Sequence, residues 1–289
     1  MIHADNAVIM AAGTSSRFAP LSYEKPKGLI RVRGEVLIER QIRQLREAGV
    51  REIILVTGYK HEQFRYLKDQ FGIRLIHNPE YLTRNNNGTI YAVRQYLKNT
   101  WICSSDNYFT ENVFLRELDS AAYAAIYADG ATNEWCMHED AAGYVDDVRI
   151  GGENAWFMLG PAFWTEEFSR IFIKILEEEY DRPETAGLLW ESIYAAHLKE
   201  LRMKILKYPA ESIFEFDTLD ELREFDPQYR KDSGSEIMKK LASDFKCTEG
   251  EITELRACKN RNNAASGFTF KVKNNSYQYS YADGNYRRI

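Results

Sequence analysis

Cysteine is scarce and scattered in this 289-residue chain: Cys103, Cys136, Cys247 and Cys258 form no CxxC spacing. That excludes a zinc knuckle and a disulfide scaffold and reads as reduced intracellular thiols. Basic charge is not in excess, with 38 Lys and Arg against 43 Asp and Glu and a formal net charge of −5. A nucleic-acid binder relying on a broad basic surface is therefore excluded, although a local anion pocket needs only a few cations. No run of about 18 apolar residues offers a membrane span, and MIHADNAVIM lacks the basic flank and long apolar core of a secretory leader. A cytoplasmic location is expected. The five histidines, His3, His61, His77, His138 and His197, show no ligand spacing. What is plentiful is apolar material: at 44% hydrophobic residues the chain can build one large domain with an appendage, or two modest domains.

The most informative stretch is Val8 to Lys27, VIMAAGTSSRFAPLSYEKPK. Val8, Ile9 and Met10 read as a buried strand, and Ala11-Ala12-Gly13 lets a ligand approach the backbone. Thr14-Ser15-Ser16 adds hydroxyls beside backbone N–H groups. Such a turn suits a polyphosphate. Arg17 can fork onto phosphate oxygens, and Lys27, stiffened by Pro26, supplies a second cation. Gly13 is followed neither by the GKS or GKT ending of a P-loop nor by GxGxxG, which sets aside two commoner phosphate loops. On these residues alone, an ordinary strand-to-helix turn with a solvated Arg and Lys stays open.

Beyond the turn, Val36 to Gly49 has a helical apolar face closed by glycine, Glu52 to Thr57 is a strand, Glu62 to Phe71 a helix and Ile73 to His77 a strand. This βαβαβ alternation predicts a mostly parallel sheet with right-handed crossovers and ligand loops at the carboxyl ends of its strands. Thr89 to Lys98 reads as a helix and Trp101 to Ser105 as a strand leading to Asp106. Ala121 to Tyr127, Val145 to Ile150 and Ala155 to Phe163 are strand-like, with Thr132 to Trp135 in a loop. Helices are expected over Thr165 to Tyr180, Trp190 to Leu201 and Leu219 to Phe225, and strands over Met203 to Lys207 and Ser212 to Asp217. Near Asp226-Pro227 the composition shifts toward Lys, Ser, Asn and Gly, so a domain over 1–228 and a small appendage over 229–289 are expected. The appendage reads as a helix, Ser233 to Phe245, with strands at Phe268 to Val272 and Tyr277 to Tyr281. The fold class is α/β, a Rossmann-like mostly parallel mixed sheet flanked by helices, plus a small α+β appendage.

Ala11-Ala12-Gly13, Arg17 and Pro26-Lys27 resemble the signature of nucleoside-triphosphate-dependent nucleotidyltransferases. Gly58-Tyr59, Asn85-Asn86 before Thr89, Asp106-Asn107-Tyr108, Thr132-Asn133-Glu134-Trp135 and Ser212 to Asp217 narrow the resemblance to bacterial CTP:phosphocholine cytidylyltransferases, over roughly 7–226. It implies CTP and phosphocholine as substrates, CDP-choline and pyrophosphate as products, and Mg²⁺ as cofactor. Implied catalytic residues are Arg17, Lys27 and Asp106, with Asp106 and Asp217 as metal ligands. Ala11, Ala12, Gly13, Thr14, Ser15, Gly58, Tyr59, Asn86 and Thr89 are implied nucleotide contacts. Trp135, Trp190 and Glu191, with Glu134 and Tyr108, are implied acceptor contacts, since a quaternary ammonium offers no N–H and needs aromatic faces and a carboxylate. The family often writes its first metal site as D-x-D, whereas Ser104 stands at the earlier position here, and Leu189 stands where the family tends to have tyrosine.

Plainer roles compete with each assignment. An isolated Asp more often caps a turn, a Trp more often packs a core, and Asn85, Asn86 and Thr89 suit a turn and helix cap. Glu215 and Asp220 lie near enough to Asp217 to be confused with it. Glu251 to Tyr277 resembles the opening strands of choline-kinase-like phosphotransferases without any catalytic loop, which implies a non-catalytic module that mediates a homodimer or docks a choline kinase. Two other functions stay open: a sugar-1-phosphate nucleotidyltransferase, and a regulatory protein that binds nucleotide without turnover.

Overall fold

The structure is a computed structural model that describes residues 1–261 and 264–289. From the N-terminus, β1 (Asn6–Ala11) is followed by the short helix α1 (Leu21–Glu24), the ribbon β2 (Arg31–Val32) and β3 (Glu35–Val36), and helix α2 (Leu37–Glu47). Next come β4 (Glu52–Thr57), α3 (Arg65–Phe71), β5 (Arg74–His77), α4 (Asn86–Val93), β6 (Thr100–Ser104) and β7 (Asn107–Phe109). The long strands β8 (Ala122–Glu139) and β9 (Val145–Trp164) lead to α5 (Glu166–Glu179), α6 (Trp190–Ala196), β10 (Lys204–Tyr208) and β11 (Ile213–Glu215). The remainder is α7 (Leu219–Phe225), α8 (Glu236–Phe245), β12 (Thr253–Lys259), β13 (Ala265–Val272), β14 (Asn275–Ser280) and β15 (Tyr286–Arg288).

These elements pack as two compact units, Met1–Gly13 with Leu37–Glu215 and Thr14–Val36 with Phe216–Ile289. The larger is built on a seven-stranded sheet of order β10-β8-β9-β6-β1-β4-β5. Strands β6, β1, β4 and β5 run parallel, as does β10 to β8, while β9 is antiparallel to both neighbours. This is the expected mostly parallel mixed sheet. Val8, Ile54 and Ile102 are at most 2% exposed, because strands covered on both faces read as unbroken apolar runs. Helix α5 starts where Thr165 accepts a hydrogen bond from the Phe168 N–H at 3.2 Å, and its Phe168, Phe172 and Leu176 are buried along one face.

Three expectations need correction. The helix expected from Thr89 begins at Asn86, because Asn85 caps it by accepting from the Asn86 N–H at 2.8 Å. Thr132 to Trp135 is not a loop but lies within β8, where polar residues face out from a long ribbon. That ribbon turns at Asp140, whose carboxylate accepts from the Ala142 and Tyr144 N–H groups at 2.8 and 2.9 Å, with Gly143 at φ +80°. The helix expected to reach Leu201 stops at Ala196.

In the smaller unit, β12-β13-β14-β15 form an antiparallel sheet, of which β15 has no clear sequence signal. Residues 229–289, expected as an appendage, share this unit with Thr14–Val36. Phe268 and Phe270 are buried at 0% and 1% exposure.

Trp164 fixes the centre of the larger core: it is fully buried, with its ring centroid 4.5 Å from that of Phe172 and 5.1 Å from that of Trp190. Trp164→Ala is expected to lower unfolding free energy by about 3–5 kcal/mol, measured by urea titration of tryptophan-independent circular dichroism.

Candidate active site

Parallel pairing brings three strand ends to one edge of the larger unit. Met10 lies opposite Ser104 on β6 and Val56 on β4, so the residues that follow these strands emerge together. The Tyr59 N–H donates to the Ala12 carbonyl at 3.0 Å and the Ser105 N–H to the Met10 carbonyl at 3.2 Å, which ties both neighbouring loops to the Ala11-Ala12-Gly13 turn. Gly13 is exposed, and a Cβ there would meet nothing within 4 Å. Gly58 is the opposite case. A Cβ on it would lie 2.6 Å from Tyr81 Cβ and 2.7 Å from the Ala12 oxygen, so the turn can close only around a glycine.

Asp106 follows β6 after the single residue Ser105 and is partly exposed. The next residue, Asn107, is buried and donates through Nδ2 to Glu215 Oε2 at 3.2 Å, because β7 and β11 pair with Asn107 opposite Glu215. Glu215 is thus fixed against the residue that follows Asp106, a placement that its sequence neighbourhood alone did not separate from Asp217 or Asp220. Tyr108 is buried at 6% exposure, with the Arg40 guanidinium 4.9 Å from its ring centre.

A second cluster centres on Glu191. Asn86 uses both ends of its amide here: Oδ1 accepts from the Trp190 N–H at 2.7 Å, and Nδ2 donates to Glu191 Oε2 at 3.0 Å. Tyr123, on β8, donates its hydroxyl to Glu191 Oε1 at 3.2 Å. Its ring stacks on Trp190 at 5.6 Å and 15°. The residue keeps some exposure, but its carboxylate is enclosed, and burial raises its pKa against the opposing hydrogen bonds from Asn86 and Tyr123. Burial first, then the Glu191 charge, pushes the Tyr123 hydroxyl well above its ordinary value.

Several expected contacts take structural positions. Trp190 is 1% exposed among Trp164, Phe172 and Tyr194, so its ring lies behind Tyr123 as core. Thr89 is buried at 4% exposure and accepts from Asn78 Nδ2 at 3.3 Å. Trp135 packs against the core while Glu134 is exposed, as alternation along a strand dictates, so the two do not form one wall. Tyr123 was missed by sequence reasoning; an inward tyrosine in an apolar strand carries no signal of its own.

In the smaller unit, Asp217 Oδ2 lies 2.6 Å from Arg17 Nη1, and Asp217 Oδ1 lies 3.9 Å from Lys27 Nζ. The Lys27 side chain is 5% exposed and that of Arg17 75%. The two expected phosphate cations and the expected metal ligand therefore meet at one carboxylate. Ser15 has φ +46°, the left-handed backbone that turns the chain into the Ser16–Phe18 segment. Among the described residues, no group of three or more His, Cys, Asp or Glu could hold a metal by itself.

In the larger unit, a parallel strand edge with a small-residue turn and adjacent acids defines a nucleotidyltransferase. Residues 7–156 match the MobA-like NTP transferase domain family. The chain belongs to that family. It is 31% identical to the choline-phosphate cytidylyltransferase of Streptococcus pneumoniae, over 76% of this chain and 96% of that one. It is 33% identical to the 2-aminoethylphosphonate cytidylyltransferase of Lancefieldella rimae, over 78% and 93%. The solved CTP:phosphocholine cytidylyltransferase of S. pneumoniae superposes with a TM-score of 0.74 at 32% identity, covering 78% of this chain and 99% of that one. An inositol-1-phosphate CTP transferase from T. maritima shares the fold at a TM-score of 0.58 and 14% identity.

Two outcomes follow from the geometry. Gly58→Ala is expected to cost about 1–3 kcal/mol of stability through overpacking, read by chemical denaturation. Because folding raises the Glu191 pKa above its ordinary 4.5, the native state there binds its proton more tightly than the unfolded chain does. This contribution is whole below 4.5 and is lost as pH rises through the folded-state value. Glu191→Gln, with the Tyr123 hydroxyl turned to suit the amide, should melt above wild type near about pH 8 and level with it near about pH 4. Melting curves of equal height at both pH values would contradict the assignment.

Proposed function

We propose that the chain transfers the cytidylyl group of CTP to phosphocholine, forming CDP-choline and pyrophosphate. The observation that carries the choice of acceptor is Glu191, a carboxylate fixed by Asn86 and Tyr123 with an aromatic stack behind it. A fixed anion beside a tyrosine face suits a trimethylammonium group, whose attraction to a ring is worth roughly 0.5–2 kcal/mol. Both Glu191 oxygens already accept hydrogen bonds, which favours a cation that asks for charge rather than for further acceptors. Trp135 and Glu134 on β8, and Tyr108, are proposed as outlying acceptor contacts.

In the reaction, an oxygen of the acceptor phosphate attacks the α-phosphorus in line, the bond to the bridging oxygen breaks, and pyrophosphate leaves. The acceptor phosphate is already anionic near neutral pH, so no general base is required. The turn at Ala11, Ala12, Gly13, Thr14 and Ser15 offers backbone N–H groups to the phosphates, with Gly58 and Tyr59 beside it for the nucleoside. Asn86, whose amide is committed to Glu191 and Trp190, and the buried Thr89, which accepts from Asn78, act by holding the start of α4 in place. Arg17 and Lys27 neutralise charge on the triphosphate and on the departing pyrophosphate.

Asp106 and Asp217 are the proposed carboxylates for Mg²⁺. One or two carboxylates that leave the other positions to phosphate oxygens are the usual donor set for this ion. When bound, Mg²⁺ offsets charge on the phosphates and polarises them. Four free thiols accord with a reducing cytoplasm; no described helix is long and apolar enough to cross a membrane.

The competing acceptor is a primary ammonium such as that of 2-aminoethylphosphonate, which would bond to the lone pairs of Glu191 that Asn86 and Tyr123 leave open. Pyrophosphate release with CTP should be fastest, by kcat/KM, with phosphocholine, ahead of phosphoethanolamine, 2-aminoethylphosphonate and hexose 1-phosphates. Preference for a primary amine or a sugar phosphate would overturn the acceptor assignment. CTP binding without release from any acceptor would point to a regulatory protein. Lys27→Ala is expected to lower kcat by about 10²–10³ while the far-ultraviolet circular dichroism stays unchanged.

A further inference from the structure

The segment that carries Arg17 and Lys27 is held by the C-terminal sheet and helix. Between the two cations lies α1, and its last two residues face partners from the far end of the chain. Tyr23 stacks on Tyr281, with ring centroids 3.7 Å apart and planes 4° from parallel. Glu24 Oε1 accepts from the Ile237 N–H at 3.0 Å, one of the first-turn donors of α8 that no helical carbonyl can reach. Tyr281 is itself anchored, since its N–H donates to the Ser266 carbonyl at 3.0 Å and its ring lies 6.0 Å from Phe268.

The same pattern continues beyond Lys27. The Arg33 N–H donates to Asp226 Oδ2 at 2.7 Å, the Arg33 guanidinium sits 4.1 Å from the Phe225 ring centre, and Tyr229 donates its hydroxyl to the Arg31 carbonyl. The segment is thus fastened on both sides of Lys27 by residues that follow β11. Without these contacts the stretch from Arg17 to Lys27 would have to order itself when nucleotide binds, which weakens affinity by the entropy of that ordering.

We propose that the C-terminal sheet and α8 pre-organise the triphosphate-binding cations, with Tyr281 and Glu24 as positioning residues for CTP. The inference rests on the reading of Arg17 and Lys27 as phosphate contacts. The S. pneumoniae structure reaches 99% of its own length on 78% of this chain, so a substantial part of this chain lies outside the match. The C-terminal sheet and α8 set the cation spacing through the Tyr281 and Ile237 contacts.

The test uses the full chain with CTP and Mg²⁺, measuring CTP affinity by calorimetry alongside steady-state turnover. Tyr281→Ala should weaken CTP binding and raise the KM for CTP by about three- to tenfold, the worth of one aromatic stack, with the acceptor KM unchanged. Tyr281→Phe, which keeps the stack, should restore both. Arg287→Ala, on the outer strand of the same sheet, should leave both unchanged. If Tyr281→Ala does not fold, Glu24→Ala decides by the same readout, with Glu24→Gln as its rescue. A folded Tyr281→Ala with wild-type CTP affinity, or a Tyr281→Phe as impaired as the alanine variant, would overturn the proposal. Wild-type chain that binds CTP but releases no pyrophosphate would sink the functional reading while the affinities still decide this one; failure to bind CTP would overturn both.

Discussion

Parallel register is the constraint from which the larger unit's chemistry follows. Because β6, β1 and β4 run the same way and are paired at Met10, Ser104 and Val56, the turn after β1 and the loops after its neighbours leave the sheet at one edge. Their backbones are then joined through the Ala12 and Met10 carbonyls. A one-residue slip would turn every side chain on a strand to the opposite face. The apolar runs of these strands set that register, so core packing also places the site.

The Glu191 cluster shows a second kind of placement, by polar satisfaction. A carboxylate enclosed by protein is unfavourable unless its oxygens are met, and here the N-terminal turn of α4 and strand β8 supply one donor each. Asn86 also accepts from the first N–H of α6, so a single amide holds two helix starts and the acid together. Asn85 and Asn87 reinforce the join, with Nδ2 of each donating to carbonyls of the 185–188 turn. The asparagine run is a structural clasp around the proposed acceptor pocket.

Much of this was legible in the sequence for a physical reason. Val8 to Lys27 combines a buried strand, small residues and cations in an order that few other functions need, and the 3.6-residue pattern and the unbroken apolar runs marked the helices and parallel strands. The polar residues Thr132, Asn133 and Glu134 read as a loop because a ribbon running past the core edge loses the burial that makes a strand visible. Trp190 read as a binding wall because its acidic neighbour is visible in sequence, whereas the surrounding Trp164, Phe172 and Tyr194 are assembled only by folding. Tyr123 and the Asn107–Glu215 pair depend on contacts more than 60 residues apart, which local patterns do not encode. The likeness of the C-terminal stretch to a kinase opening did not point to its association with Thr14–Val36, since that association too is long-range.

The central claim is that a cationic alcohol phosphate is met by the Glu191 and Tyr123 pair. A crystal structure with CDP-choline and Mg²⁺ tests it most directly. The account predicts the trimethylammonium group against the Tyr123 ring and beside the Glu191 carboxylate. A head group bound elsewhere, with the Asn86, Glu191 and Tyr123 bonds untouched, would contradict it.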